Sequence, residues 1–348
     1  MPLPWAAGPA RETVLFDNLR APGVGAWNLL AVTDPEVSCT DERWTMLLGA
    51  FENRFRVRLV QADLPPGRDA HEARWRVRTR GPWGTAVPLA RPPRGAFDSA
   101  GMGSPCLAEG VGADGEPARR VYYTGLDRLV RTPRTYAIGV LEETPDGGWR
   151  RRGTPVLRGD AERPSVLEPC LRYADGRWHL WFLSFVADPP RGQAPDYRIR
   201  YAWSEDGLTG WSDPLELFDA RHDFFDVDVR PWRDGWLMVL AGDPHAEAAP
   251  QGLWLSWSSD PGDRTQWHAN LRPLLTHDET APDWRGAGVY GPSIAALTDQ
   301  ALTLFVSGRH LRPRWLTEAR RRLRERRLPP PPFGDWYLSV TRLEFDAG

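Results

Sequence analysis

The stretch Glu168-Pro-Cys-Leu171, followed after a polar turn by Trp178-His-Leu-Trp-Phe-Leu183, decides the fold. It combines a short segment that usually contains proline, a turn, and a dense aromatic or aliphatic strand. The pattern occurs five times, at intervals of ~60–70 residues, and such a repeat is typical of radial or stacked β architectures. The anchor positions of the five copies are Pro35, Pro105, Pro169, Asp228 and Pro292.

The other four copies keep the same order of turn and strand. They read Asp34-Pro-Glu-Val-Ser-Cys39 with Trp44-Thr-Met-Leu-Leu-Gly49, Ser104-Pro-Cys-Leu107 with Val121-Tyr-Tyr-Thr-Gly125, Val227-Asp-Val-Arg-Pro231 with Trp236-Leu-Met-Val-Leu-Ala-Gly242, and Gly291-Pro-Ser-Ile294 with Leu302-Thr-Leu-Phe-Val-Ser-Gly308. Five copies, each long enough for a four-stranded sheet, predict an all-β fold, a single five-bladed β-propeller domain over residues 1–348. We expect blades at roughly 30–95, 96–160, 161–220, 221–280 and 281–348.

Closure of this propeller needs one more strand, because the last copy supplies only about three. The segment Glu12-Thr-Val-Leu-Phe-Asp17 is β-like, and we expect residues 12–17 to add the fourth strand and remove a free edge. Residues 316–328 break the β pattern with good helix formers and are followed by four prolines. They predict a short helical insertion in the fifth blade, exposed and with a solvated basic face.

Composition limits the classes of partner. The 348 residues include 18 Trp, and 34 Pro and 33 Gly supply many turns. The formal net charge of −2 gives no reason to expect nucleic acid or an anionic membrane as a partner. The sequence has no apolar run of about 18 residues and no signal-peptide pattern, so we expect a cytoplasmic protein without a membrane span. No particular oligomeric state is indicated.

Basic residues and cysteines narrow the chemistry. All 44 basic residues are Arg, which excludes Schiff-base chemistry on Lys and a Walker-type phosphate loop. Cys39, Cys106 and Cys170 fall at similar places in three repeats, and we expect buried free thiols in a reducing compartment. No CxxC or HxxxH spacing points to zinc, so we expect no cofactor, and the sequence leaves open whether calcium lies on the axis.

Carboxyl groups dominate the positions where the first strands of the repeats begin, and those positions converge on the axis of a propeller. Asp34, Glu168, Asp226 and Asp228 are therefore the candidate catalytic residues. Acids that face one another in a partly desolvated funnel have pKa values pushed apart, which gives one base or nucleophile and one acid. A structural ion pair with Arg230 is the alternative for Asp226 and Asp228, since alternation puts all three on one strand face.

Four further residues are candidates for substrate contacts: Asp98, Arg230, Tyr290 and His310. Asp98 lies in a glycine-rich loop that leads to the second repeat, and Arg230 shares a strand face with the fourth-repeat acids. Tyr290 opens the fifth repeat, and His310 ends a strand whose loop is expected to border the funnel. Their polar side chains are suited to orienting a bound ligand.

The repeats resemble those of the five-bladed β-propeller glycoside hydrolase superfamily, which includes arabinanases, β-xylosidases, invertases and levansucrases. Thr33-Asp-Pro-Glu-Val37 resembles the Asp-Pro element that carries the base or nucleophile, and Tyr290-Gly-Pro-Ser-Ile294 resembles a later blade start. The most specific part is Glu168–Trp211, and the resemblance covers most of the chain. It implies a glycosidase-like enzyme with Asp34 as base or nucleophile and Glu168 as general acid or its partner, tuned by an acid of the fourth blade.

The chain departs from the superfamily in its acids. The superfamily usually has Asp, Asp and Glu in chain order, whereas Asp34, Glu168 and then Asp226 or Asp228 occur here. The Arg-Asp-Pro element of invertases is absent, and Tyr290 replaces the acid of the arabinanase Glu-Gly-Pro element. Two alternatives to a hydrolase or transglycosidase acting on a carbohydrate or other small molecule therefore stay open. One is a cyclase or lyase of specialised metabolism, in which an acid facing Tyr290 and His310 could transfer protons. The other is a non-catalytic sugar-binding protein, which exposed, distant acids would favour.

Overall fold

The fold is almost entirely β-strand. The computed structural model describes residues 3–20, 23–40, 43–68, 70, 72, 74–128, 135–186, 196–218, 224–242, 251–269, 271–277, 281–324, 329, 331 and 336–348. Two short α-helices and one turn of 3-10 helix interrupt the strands in these ranges. None of the helices described is long and apolar enough to cross a membrane.

Two antiparallel meanders form the first part of the chain. The bounds are β1 (Arg11–Asp17), β2 (Leu29–Thr40), β3 (Arg43–Glu52), β4 (Arg56–Asp63), β5 (Arg76–Val77), β6 (Thr79–Arg80), β7 (Thr85–Ala86), β8 (Gly101–Val111), β9 (Pro117–Leu126), β10 (Tyr136–Glu143) and β11 (Trp149–Arg151). Strands β2 to β5 pair in sequence, as do β8 to β11, and one parallel residue pair, Val57 with Gly101, joins the two sets. Strands β6 and β7 pair separately.

Three four-stranded sheets follow. The bounds are β12 (Ser165–Ala174), β13 (Arg177–Phe185), β14 (Arg198–Ser204), β15 (Leu215–Glu216), β16 (Phe224–Trp232), β17 (Gly235–Gly242), β18 (Gly252–Ser258), α1 (Arg264–Ala269), β19 (Arg272–Thr276), the 3-10 turn (Asp283–Arg285), β20 (Val289–Leu297), β21 (Ala301–Arg309), α2 (Trp315–Arg324) and β22 (Leu338–Asp346). The strand orders are β12-β13-β14-β15, β16-β17-β18-β19 and β1-β22-β21-β20.

The core consists of apolar layers between neighbouring sheets. Strand β13 is buried along nearly its whole length, because both of its faces are covered. Leu180 and Phe182 pack into the layer shared with β8–β11, whereas Trp181 and Leu183 pack into the layer shared with β16–β19. Successive side chains of a strand point to opposite faces, so one sheet contributes to two layers.

The first strands of the sheets contact one another in a ring. Strand β2 contacts β8, β8 contacts β12, β12 contacts β16, β16 contacts β20, and β20 contacts β2. Equivalent positions of these five strands therefore meet at the centre of the molecule, although they are far apart in sequence.

The N-terminal strand β1 occupies the edge of the sheet that contains the C-terminal strand. It pairs antiparallel with β22, with Arg11 opposite Glu344 and Asp17 opposite Ser339. Leu15 is 1% exposed and packs in the apolar layer between this sheet and β2–β5. Residues 12–17 therefore join the two ends of the described chain by backbone hydrogen bonds and by side-chain packing.

Helix α2 lies between β21 and β22, where the sequence predicts a helix over 316–328; residues 325–328 fall outside the described residues. The expected solvation of its whole basic face is wrong for Arg322, which is buried. Its guanidinium bonds to Glu318 (Nε to Oε1, 2.6 Å) and donates to the carbonyl of Asn18. A buried guanidinium needs such partners, and these contacts hold the helix against the segment after β1.

We predict that Leu15→Ala lowers the free energy of unfolding by about 2–5 kcal/mol, because it leaves a cavity in the layer that β1 seals. Urea denaturation followed by tryptophan fluorescence measures this change. Arg11→Ala, on the exposed start of the same strand, is the matched control. A loss below about 0.5 kcal/mol for Leu15→Ala would mean that β1 contributes little to the fold.

Candidate functional site

Each first strand carries a β-bulge near its start. Pairing shifts between Thr33/Glu36, Gly103/Cys106, Leu167/Cys170, Phe224/Asp226 and Tyr290/Ser293. A bulge takes one residue out of the ladder and re-aims its side chain. Five residues at these bulges line one cavity on the axis, and we call them the upper layer: Asp34, Ser104, Glu168, Asp226 and Gly291.

Four of the upper-layer residues have a left-handed backbone. The φ angles are 50° for Asp34, 46° for Ser104, 51° for Glu168 and 57° for Gly291. Glycine adopts this conformation without steric cost, but each of the three others costs about 1–3 kcal/mol and persists only where its surroundings enforce it. Such strained residues are concentrated at functional sites, and here they place polar side chains at equivalent points around the axis.

Hydroxyl groups on neighbouring sheets fix the strained backbone. The amide of Asp34 donates to Ser307 Oγ of β21 at 2.7 Å. The amide of Glu168 donates to Thr124 Oγ1 of β9 at 2.8 Å. Because a buried amide outside a β-ladder needs a partner, these two bonds hold both carboxyl-bearing residues in place.

Three carboxyl groups of the upper layer line the axial cavity, and Glu36 and Asp228, two residues further along their strands, line it too. Asp34, Glu168 and Asp226 line a volume of about 40 Å³, which has room for roughly one water molecule. Asp34 and Glu168 are partly exposed, whereas Asp226 is 4% exposed. Asp34 accepts hydrogen bonds from Ser104 (Oγ to Oδ2, 3.2 Å) and Thr33 (Oγ1 to Oδ1, 2.9 Å). Little solvent separates the three acids, so their charges interact strongly.

Burial and mutual repulsion raise the pKa values of these acids. Burial, followed by the negative charge of Asp34, raises the pKa of Glu168 to about 8. The pKa of Asp226 lies well above its usual range because of burial and the charges of Glu168 and Asp34. Burial also raises the pKa of Asp34, but hydrogen bonds from Thr33 and Ser104 oppose the shift. Near neutral pH, Glu168 and Asp226 hold protons, while the donors around Asp34 favour its ionised form.

A middle layer lies two residues further along each strand. Its members are Glu36, Cys106, Cys170, Asp228 and Ser293. Burial, with the charge of Cys106 next, raises the pKa of Glu36 to about 8. Burial also opposes ionisation of Cys106, but hydrogen bonding with Cys170 and the charge of Arg172 outweigh it and lower the thiol pKa to about 6. The axis therefore carries titratable groups in two successive layers.

The structure separates the two acids of β16. Asp226 joins Asp34 and Glu168 in the upper layer, whereas Asp228 lies in the middle layer and pairs with Arg172. Arg230 faces this middle layer too, with its Nε 3.7 Å from Asp228 Oδ2. Asp228 thus forms ion pairs, and its distance to Arg172 is shorter than its distance to Arg230.

Tyr290 reaches the upper layer through a hydroxyl network. Its hydroxyl lies 2.9 Å from Thr33 Oγ1, which is also within 2.9 Å of Asp34 Oδ1. The Tyr290 ring lies 6.0 Å from that of Phe225, the residue before Asp226. Tyr290 therefore lies beside the axial cavity, and its contact with a ligand stays a prediction.

Asp98 does not reach the axial cavity. It is fully buried, and Arg151 binds its carboxylate with two bonds (Nε to Oδ2, 2.6 Å; Nη2 to Oδ1, 2.5 Å). The hydroxyl of Tyr123 donates a third bond at 2.7 Å. A bidentate guanidinium pair in the core satisfies this carboxylate, so its contacts are structural.

His310 lies apart from the upper layer as well. Its Nε2 is 3.1 Å from Asp17 Oδ1, and it lines a separate cavity that also includes His277 and Leu311. An acid, Tyr290 and His310 therefore do not come together as the cyclase or lyase alternative supposes.

Sequence reasoning missed the middle-layer carboxyl Glu36 and the role of the thiols. Aligning the first three repeats on their prolines puts Glu36 in register with Cys106 and Cys170, and this signal was available in the sequence. The expectation of a buried thiol is wrong for Cys39, which is exposed. It lies near the end of β2, three residues beyond Glu36, the position that corresponds to Cys106 and Cys170. In the described ranges, no group of three or more His, Cys, Asp or Glu side chains could hold a metal ion.

Comparisons with known proteins find similar structures but no similar sequence family. No protein-family profile and no curated protein matches the sequence. The chain is similar to the α-L-arabinofuranosidase PaAbf62A of Podospora anserina, solved with cellotriose, at 12% identity and a TM-score of 0.57, covering 99% of this chain and 98% of that one.

Two bacterial enzymes give the same result. The family 117 glycoside hydrolase Zg3597 of Zobellia galactanivorans has 14% identity and a TM-score of 0.59, with 97% of this chain and 90% of that one covered. The GH43_1 enzyme of Xanthomonas citri has 14% identity and a TM-score of 0.54, with 97% and 91% covered. At this identity the similarity shows the fold, which is that of propeller glycoside hydrolases.

We predict that stability falls as pH rises from about 5 to 8. The folded protein keeps the Glu168 proton up to about pH 8, whereas the unfolded chain releases it near ~4.3, so the folded state binds more protons in between. Glu168→Gln removes this contribution and should make the decline shallower. Urea denaturation across this pH range measures both slopes.

Asp146→Asn, in an exposed turn, is the control and should retain the wild-type slope. Identical slopes for wild type and Glu168→Gln would mean that Glu168 titrates normally in the folded protein.

Proposed function

We propose that the protein is a glycoside hydrolase or transglycosidase whose chemistry takes place at the upper layer. One observation carries this proposal: Asp34, Glu168 and Asp226, from three different strands, share a single desolvated cavity. Glycosidic bond cleavage needs a protonated acid beside an ionised carboxylate. A sugar-binding protein does not require such acids to be crowded together.

Asp34 is the proposed base or nucleophile, because Thr33 and Ser104 donate to its carboxylate. Glu168 is the proposed general acid, since the pKa of about 8 keeps its proton available at neutral pH. Asp226 hydrogen bonds with Glu168 and holds a proton, which supports a role in positioning and tuning that acid.

The sugar would bind above the axial cavity, which has room for little more than water. Asp34 and Glu168 are partly exposed there, while Asp226 lies deeper. Aromatic rings continue outward from this point, since Phe225 lies 6.0 Å from Tyr290 and 6.3 Å from Tyr197. Partly exposed aromatic walls beside a few polar groups are typical of small-molecule sites.

We also infer that the sheets form one five-bladed propeller. The ring of contacts among β2, β8, β12, β16 and β20 supports this, as does the pairing of β1 with β22. In this arrangement the five upper-layer residues come from five blades.

Pentosides are the first substrates to test, because the structural neighbours include α-L-arabinofuranosidases and a β-xylosidase. We expect the full chain to release nitrophenol from at least one member of a panel of nitrophenyl glycosides that contains α-L-arabinofuranoside and β-xyloside. Asp34→Asn and Glu168→Gln should each lower kcat/KM by about 10²- to 10⁴-fold, the usual contribution of acid–base catalysis.

The pH profile provides a second readout. The wild-type rate should fall above about pH 8, where Glu168 loses its proton. Asp146→Asn should leave both rate and profile unchanged. The proposal fails if no glycoside in the panel is cleaved, or if both upper-layer variants keep wild-type activity.

A further inference from the structure

A second cavity, of about 560 Å³, lies at the other end of the first strands. Its lining follows the same strands in the same direction: Glu36 to Thr40 of β2, Arg172 and Tyr173 of β12, Arg230 and Pro231 of β16, and Ile294 to Leu297 of β20. The axial cavity of the upper layer is lined by positions that come earlier in each of these strands. The two cavities therefore occupy opposite ends of one axis, with the middle layer between them, and we call the second one the lower cavity.

Two guanidinium groups form the inner wall of the lower cavity. Arg172 is 7% exposed, and it donates to Asp228 Oδ1 and, at 3.3 Å, to Cys106 Sγ. Asp228 and Cys106 therefore already accept hydrogen bonds from Arg172, the more deeply buried of the two guanidinium groups. The Nε of Arg172 is nevertheless buried without a hydrogen-bond partner among the described residues.

Arg230 is closer to the open side and is poorly paired. Its guanidinium lies 3.6 Å from Glu36 Oε1 and 3.7 Å from Asp228 Oδ2, both longer than a hydrogen bond. Asp228 Oδ2 already accepts the amide of Ile294 at 2.6 Å, and its other oxygen accepts from Arg172. In the described part of the chain, the Nε of Arg230 has no hydrogen-bond partner either.

Protonation of Glu36 further reduces the negative charge near the Arg230 guanidinium. Glu36 is the nearest carboxyl group, and its pKa of about 8 keeps it neutral at pH 7. Its other oxygen, Oε2, is 3.3 Å from the hydroxyl of Ser293. Arg230 is half-buried and incompletely hydrogen bonded, so an incoming anion would gain a strong, directional partner here.

The outer part of the lower cavity is largely apolar. Val37, Ala108, Ile294, Leu297 and Tyr173 contribute to it. A cavity of about 560 Å³ with apolar residues on one side and two guanidinium groups at its inner end is typical of sites for small organic molecules. The carboxyl group of Glu109, which also lines the cavity, is paired with Arg119 at 2.8 Å.

We infer that the lower cavity binds a small organic anion, whose carboxylate or phosphate group sits on Arg230 and whose apolar body packs against Ile294 and Leu297. The planar guanidinium fork matches both headgroups and holds either with two parallel hydrogen bonds. This site is separate from the upper layer and does not depend on the reaction proposed there.

Isothermal titration calorimetry of the full chain with benzoate, phenyl phosphate and acetate tests this site. We expect saturable binding of benzoate or phenyl phosphate, and the tighter of the two identifies the headgroup. Acetate should bind more weakly, because it lacks the apolar body. Arg230→Gln should raise Kd about 10- to 100-fold, as expected when hydrogen bonds to a charged group are lost.

Two further variants keep the test decisive if Arg230→Gln folds poorly. Leu297→Glu puts a negative charge at the partly exposed wall, on the edge of the apolar layer between the last two sheets, and should also weaken binding. Arg150→Gln, on an exposed outer strand, should leave Kd unchanged. Absence of saturable binding of both aromatic anions, or an unchanged Kd in Arg230→Gln and Leu297→Glu, would overturn the inference.

Discussion

Repulsion among Asp34, Glu168 and Asp226 is the interaction on which the chemistry of this protein depends. Because the three acids are crowded at one cavity, burial and the charges of neighbouring acids raise the pKa values of Glu168 and Asp226. Donors around Asp34 decide which acid releases its proton first, and the remaining two keep theirs. The proposed separation into acid and base thus follows from the geometry of the upper layer.

The backbone holds the acids in this unfavourable arrangement. Bulges and left-handed φ angles at Asp34, Ser104 and Glu168 turn their side chains inward, and hydroxyls of neighbouring sheets hold the freed amides. The stability needed to maintain this strain comes from the apolar layers between sheets and from the pairing of β1 with β22. Along the axis the polar groups continue as carboxyls and thiols and end at Arg172 and Arg230, so the two ends of the axis differ in charge.

Much of the arrangement follows from the repeat pattern, because equivalent positions of repeated strands must meet around a common centre. This reasoning predicted that Asp34, Glu168 and Asp226 converge. It misjudged Asp98 and His310, since their partners, Arg151 and Asp17, lie 53 and 293 residues away and leave no local signal. The position of Cys39 near the end of β2 also escaped this reasoning. So did the division of the two acids of β16 between successive layers, which follows from their spacing of two residues on a regularly paired part of the strand.

The central claim is that one carboxyl of the upper layer stays protonated at neutral pH. Carbon-detected NMR titration of the Glu and Asp carboxyl groups, with Glu168→Gln to assign the resonance, tests it most directly. The account predicts two glutamate signals that titrate at about pH 8, from Glu168 and Glu36, and the signal of Glu168 is missing in the variant. If every glutamate titrates below about pH 5, as unperturbed carboxyls do, the three acids are hydrated and independent, and the proposed division into acid and base is wrong.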